Sequence, residues 1–197
     1  MRDALLAAAG QLNDKLYGKP VPVMEDDVGQ FILGVENKDG EAKPGARIPL
    51  HGEEFRRSVS VQVRRSRPLA VMEAFDLPTL EPNCTSRTAS TVAPQALMLM
   101  NNEFTLDSAR QMAERLSTEA SADPVARIQR AWQIAFGRSP TEAETTAATR
   151  FIEQQSTALA AVAAAETDPK KAIDPATWAW TTLCQSLLST NEFLYVD

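Results

Sequence analysis

Histidine and cysteine are scarce in this chain: one His, His51, and two Cys, Cys84 and Cys184, in 197 residues. The two cysteines stand far apart, with no CxxC and no Cys/His cluster, which argues against a zinc site. The haem-attachment pattern CxxCH is missing too, so the chain itself attaches no haem covalently. Basic charge is in short supply. Twenty Lys and Arg face 26 Asp and Glu, for a net charge of −6 and a pI near 5.0. That balance speaks against general nucleic-acid binding and against adhesion to an anionic membrane surface. No apolar run approaches the roughly 20 residues that a membrane-spanning helix needs. Met1-Arg2-Asp3 carries an acid, and the apolar stretch Ala4–Ala9 is too short for a secretory signal. GxSxG, the P-loop and GxGxxG are all absent.

What remains is ordinary globular composition, 44% hydrophobic and 23% charged. The length suits one domain with a real core. Residues 2–16 read as an amphipathic helix ending near Gly18, with Leu5, Leu6, Leu12 and Leu16 at helical spacing. No N-cap precedes them, and the expectation is that the chain is a C-terminal fragment of a longer protein. The segment 24–45 is rich in Gly and acids, with Phe31–Leu33 a short strand and Asp39-Gly40 a hairpin signal. Arg57–Arg65, RSVSVQVRR, alternates Val59, Val61 and Val63 with polar residues, which predicts a strand paired near Phe31 or Ile48.

Beyond it the chain turns helical. Pro68 opens a short helix whose apolar face is Leu69, Met72 and Phe75. After the polar loop Pro82–Thr91, Pro94 opens another, with Leu97 and Met100 expected inside. Asn102 caps a helix over 103–118, with Leu106, Ala109, Ala113 and Leu116 on one face. Asp123-Pro124 starts the next, burying Val125, Ile128 and Trp132 with Ala135 or Phe136, and Gly137 stops it. Ser139/Glu142 and Thr141/Glu144 are overlapping capping boxes before a long Ala-rich helix to about Ala165. Asp174-Pro175 starts the last helix, which runs to about Thr190 with Trp180, Cys184, Leu187 and Leu188 along one side. The apolar tail Phe193–Val196 packs back on the bundle.

Candidate chemistry is sparse. His51 sits beside Glu53 and Glu54, a weak constellation for a metal or general base and a natural surface loop. Arg56, Arg57, Arg64, Arg65 and Arg67 form a basic cluster in an acidic chain. It suits either an anion such as a sulfate, carboxylate or acidic sugar, or ion pairs with Glu53, Glu54, Glu73 and Asp76. The loop with Cys84, Thr85, Ser86, Arg87 and Ser90 concentrates hydroxyls around one guanidinium. A Cys nucleophile needs a base. Capping and turn chemistry explains the same residues. Cys84 and Cys184 are either two separate buried thiols or a disulfide tying this loop to the last helix.

The stretches RRSVSVQVRRSRPLAVMEAFDLP, EPNCTSRTASTVAPQALMLMNNEF, AFGRSPTEAE and LCQSLLSTNEFLYVD together closely resemble one domain. It is the planctomycete-specific C-terminal domain of unknown function numbered fifteen-fifty-three. The resemblance covers essentially the whole chain. Within it Pro82, Cys84, Arg87, Thr91, Pro94, Gln95 and Asn101 are motif residues without an assigned role. In that family a cytochrome-c-like domain often stands upstream. The resemblance therefore implies an extracytoplasmic location, at the periplasm or cell surface, and haem c on an upstream domain rather than here.

These readings combine into a mainly α fold. A bundle of about five or six helices carries a small β-hairpin in its N-terminal third. Residues 1–197 form one domain, irregular and β-containing over 1–93 and helical over 94–197. Functionally it reads as a structural or interaction module whose partners are the upstream domains of an exported, cytochrome-c-linked protein. The alternative is part of a polysaccharide-binding or polysaccharide-degrading enzyme, with an anion or sugar site drawn from Arg64, Arg65, Cys84, Arg87 and His51. Neither reading gives the chain a metal, a nucleic-acid partner or a membrane span.

Overall fold

The opening helix is shorter than its leucine spacing predicts, and one glycine is the reason. In the computed structural model α1 spans Arg2–Ala8. Gly10 then takes φ +73°, a left-handed conformation, and Gln11 N donates to Leu6 O at 2.9 Å. That bond closes a Schellman-type turn and ends the helix. Leu5 and Leu6 are fully buried, whereas Leu16, on chain that is no longer helical, is 68% exposed. The structure describes residues 1–26, 29–35, 48–63, 68–75, 93–165 and 174–195.

Their contacts divide into two units. Met1–Ala7 and Gln11–Met98 make the first, and Ala8–Gly10 with Leu99–Asp197 the second. In the first, β1 (Val23–Glu25) pairs antiparallel with β2 (Phe31–Leu33), Met24 opposite Ile32. Gly34 lies against the Met24 side chain, and a Cβ on it would stand 2.4 Å from Met24 Sδ, so that side chain would have to shift to admit one. Phe31–Leu33 is thus a strand as expected, but its partner is β1. The Asp39-Gly40 turn lies outside the described residues.

The segment after Arg57 corrects the expected strand. Ser58–Ser60 winds into a 3-10 turn, and only Val61 is buried, while Val59 is 83% and Val63 59% exposed. Two things defeat the alternation. Asp3 Oδ1 accepts from both Ser58 N and Ser58 Oγ, which caps the start of a turn. Among the described residues, its ladder-type backbone pairing is confined to Val21: Val21 N donates to Ser60 O and Gln62 N to Val21 O, each at 2.8 Å, around a single bridge. One bridge does not make a ladder. The α2 helix (Ala70–Ala74) follows, with Val71 buried within it and Leu69 buried at its N-cap.

Helix α3 spans Ala93–Asn101, and its buried positions are Gln95 and Leu99, four apart. Leu97 and Met100, expected inside, are 58% and 62% exposed. The second unit is all helix among the described residues: α4 (Glu103–Glu119), α5 (Pro124–Phe136), α6 (Glu142–Ala165), α7 (Pro175–Leu188) and α8 (Asn191–Leu194). Short-range chemistry sets their starts. Asn102 Oδ1 accepts from Phe104 N, Asp123 from Val125 N and Ala126 N, and Asp174 from Thr177 N. Thr141 and Glu144 form the reciprocal capping box, Thr141 N to Glu144 Oε2 at 2.7 Å and Glu144 N to Thr141 Oγ1 at 3.2 Å. Gly137, at φ +69°, stops α5.

Helix α7 is the centre of this unit, packed chiefly on α4 and α6 and also on α5 and α8. Ala109, Met112, Ala113 and Leu116 of α4, Ile128, Ala131 and Trp132 of α5, and Ala179, Leu183, Cys184, Leu187 and Leu188 of α7 form the core. Trp132 and Phe136 stand edge to face at 6.0 Å between ring centres. The chain is therefore mainly helical, with one small antiparallel hairpin in its N-terminal third, as its sequence predicts.

Candidate functional site

Of the residues singled out for chemistry, Arg64, Arg65, Cys84 and Arg87 lie outside the described residues. His51 is described and exposed. It takes φ +53° and precedes Gly52 at φ +90°, so it sits at the bend of a left-handed turn. Gly52 N donates to Glu54 Oε2 at 2.9 Å, and Gly52 O accepts from Asn13 Nδ2 at 3.1 Å. His51, Glu53 and Glu54 do not converge on a metal: no group of three or more His, Cys, Asp or Glu among the described residues is placed to hold one. Cys184 is wholly buried, and burial pushes its thiol up to about 12, which makes it a core residue and a poor nucleophile at neutral pH.

The residues that organise the first unit are two buried arginines. Arg56 is only 2% exposed. Its guanidinium donates to Tyr17 O at 2.8 Å, Lys19 O at 2.9 Å, Glu53 Oε2 at 3.1 Å and Ser60 Oγ at 3.3 Å. Arg2, 3% exposed, donates to Arg56 O at 2.8 Å and to Glu54 O. Burial lowers the Arg2 pKa, and Asp3 alongside offsets part of that. The Arg56–Glu53 contact is one of the ion pairs expected from the basic cluster, and Arg57 Nε lies 3.6 Å from Asp3 Oδ2. The carbonyl cradle was not visible in the sequence, because Arg2 sits in a helix pattern and its partners lie far along the chain.

The cradle presents a loop. Tyr17 takes φ +63° and Gly18 φ +103°, with Arg56 gripping the carbonyls on either side of the glycine. The Tyr17 side chain is 89% exposed. Lys15, ion-paired to Glu53, ties the loop again to the turn that follows His51.

In the second unit, charge is organised around Arg138. It makes paired bonds to Glu144 (2.9 and 2.7 Å) and to Glu192 (2.7 and 2.9 Å), joining the loop after α5, the start of α6 and α8. Its bonds to Glu144 first, and to Glu192 second, raise its own pKa. The same arginine holds both carboxyls below the usual carboxylate range. Glu119, bonded by Arg115 and Arg130, is lowered in the same way. Along α6 runs an open groove of about 780 Å³, lined by Ala143, Ala147, Arg150 and Phe151 among others. No helix among the described residues is long and apolar enough to cross a membrane.

No curated protein and no solved structure matches the chain. Residues 1–152 match the family described as Protein of unknown function (DUF1553). That match covers well over half of the sequence and includes Arg2, Arg56, the Tyr17 loop and the first part of α6, so the chain belongs to this family.

Proposed function

We propose that the chain is a structural or interaction module of an exported, cytochrome-c-linked protein of planctomycete type, seated against that protein's upstream domains. The observation that carries this reading is where the ionic groups go. Arg2 and Arg56 are committed to backbone carbonyls, Glu144 to a helix cap and to Arg138, and Glu119 to Arg115 and Arg130. These groups hold the architecture, while large apolar side chains such as Tyr17, Val59 and Val162 face outward. Haem c belongs to an upstream domain in this reading, since neither cysteine stands in CxxCH.

Fractionating cells that carry the full-length protein, then probing it by hydrogen exchange with and without this chain, tests the proposal. Extracytoplasmic recovery and slower exchange in upstream segments when the chain is present are the expected results. Cytoplasmic recovery, or upstream exchange indifferent to the chain, refutes it. Retention on sulfated glycans that is lost in Arg64→Ala and Arg87→Ala would instead favour the polysaccharide reading.

A further inference from the structure

We propose that α6 carries a self-complementary face on which a second copy of this chain docks antiparallel, giving a two-fold dimer centred on Ala147. The groove of about 780 Å³ along α6 is bounded, among the described residues, by two rows of that helix at four-residue spacing. One row is Glu142, Thr146 and Arg150, and the other is Ala143, Ala147 and Phe151. A channel between two such rows is what a row of a neighbouring helix fills when helices pack. Within its own unit α6 packs on α7 and α5, with Ala148 buried. The two rows lie to the side of that contact, and all six residues are exposed except the half-buried Phe151.

Two properties of the rows select the occupant. The first is charge. Among the described residues, neither the Glu142 carboxylate nor the Arg150 guanidinium has a hydrogen-bond or ion-pair partner. Arg110, Arg115, Arg130 and Arg138, by contrast, each hold a carboxylate of their own chain. Glu142 and Arg150 do not reach each other, because the helix between them sets them about 12 Å apart. Reversing the helix exchanges the two ends of the row. In an antiparallel pair, Arg150 of each copy therefore comes within reach of Glu142 of the other.

The second is size. The same reversal about Ala147 lays the Phe151 ring of each copy on the Ala143 methyl of the other, with Ala147 on Ala147 at the axis. Methyl groups at these places let the helix axes approach to about 8 Å, the near end of helix packing. A face that matches itself under a two-fold rotation is an isologous interface, which closes at two copies. At a net charge of −6 the copies repel at long range, and the two crossed pairs oppose that repulsion at contact. One helix face is a small interface, so the dimer is weak and forms with rising concentration.

Sedimentation velocity of the whole chain from about 1 μM to about 1 mM, with variants that report the register, tests the proposal. A monomer–dimer equilibrium within that range is expected. Ala147→Cys should form a disulfide-linked dimer on mild oxidation, well above the level in the unsubstituted chain, because the axis brings the two copies of position 147 together. Ala160→Cys, exposed on the same helix, should not, since its two copies stand about 39 Å apart in the antiparallel pair. Glu142→Arg and Arg150→Glu should each raise Kd about tenfold, by setting like charges against each other at both ends. The double variant should return Kd to within about threefold of the starting value. Ala147→Glu keeps a good helix former at an exposed position and sets two carboxylates across the axis, so it should leave monomer alone at every concentration. A chain that is monomeric throughout overturns the proposal. So does a dimer indifferent to Ala147→Glu and to both charge reversals. Equal cross-linking at 147 and 160, the mark of a parallel pair, overturns it as well.

Discussion

Arg56→Met removes the guanidinium from the centre of the first unit while keeping most of the side chain's bulk. Four bonds are lost, to Tyr17 O, Lys19 O, Glu53 Oε2 and Ser60 Oγ. A hydrogen bond from a charged donor contributes about 1.5–3 kcal/mol. The sum is an overestimate, for three reasons. Tyr17 and Lys19 are exposed, so their carbonyls regain water. The Ser60 contact, at 3.3 Å, is long. Arg56 Nε has no partner among the described residues, so methionine also recovers the cost of burying that N–H. Removing one member of a buried charged pair typically costs about 3–5 kcal/mol, and these offsets bring the expected loss to about 2–4 kcal/mol. With a urea slope of about 1–3 kcal/mol per molar, the midpoint should fall by roughly 1–2 M. Urea titration followed by far-UV circular dichroism measures it, and hydrogen exchange should show deprotection at 13–21. Arg56→Lys should lose nearly as much, since an ammonium cannot reproduce the fork that spans two carbonyls. A loss under about 0.5 kcal/mol, the range of ordinary surface changes, or protection at 13–21 that survives would refute the cradle.

The second unit offers three further checks. Leu116→Ala, at a position 1% exposed in α4, should cost about 2–5 kcal/mol in urea unfolding, and a near-neutral result would place α4 outside the core. Cys184 should resist iodoacetamide at neutral pH in the folded chain and react once urea unfolds it; prompt labelling of its peptide in the native state contradicts the burial. Glu144, Glu192 and Glu119 have lowered carboxyl pKa values, so their stabilisation is present above the unfolded carboxylate range, near about pH 4.3, and is lost as pH falls through the folded values. The thermal midpoint should therefore drop on acidification below about pH 4, less steeply in Glu144→Gln, and a wild-type midpoint flat through that range would sink the assignment.

The helices were legible because the chemistry that starts and stops them is local. Asn102, Asp123 and Asp174 cap residues two or three positions away, and the Thr141/Glu144 box closes over three. A reader of the sequence holds both partners of every such bond. The misreadings arose where a periodic pattern was followed past what actually decides the segment. Leu12 and Leu16 keep the helical period, but Gly10 ends the helix before it reaches them. Val59, Val61 and Val63 keep the strand period, yet Asp3, 55 positions away, caps a turn at Ser58 instead. Leu97 and Met100 were placed inside by hydrophobicity alone, and the side of α3 that faces inward is marked by Gln95 and Leu99.

The same distinction separates the two arginine systems. Arg138 and Glu144 stand six positions apart around a capping box, and that much of their pairing can be read from spacing. Arg56 reaches 37 and 39 positions back for its carbonyls, and Arg2 reaches 54 forward for its own. Backbone acceptors have no side-chain signature, so no pattern of residue types announces them. A cluster of arginines in an acidic chain suggested either an anion from outside or ion pairs with the chain's own acids. In Arg56 the structure shows how the chain itself can satisfy that demand, with the partial charges of its own carbonyls. A buried arginine used in this way fixes a loop in one conformation, at the expense of strain where the loop bends. At Tyr17 that strain falls on a side chain the fold leaves 89% exposed.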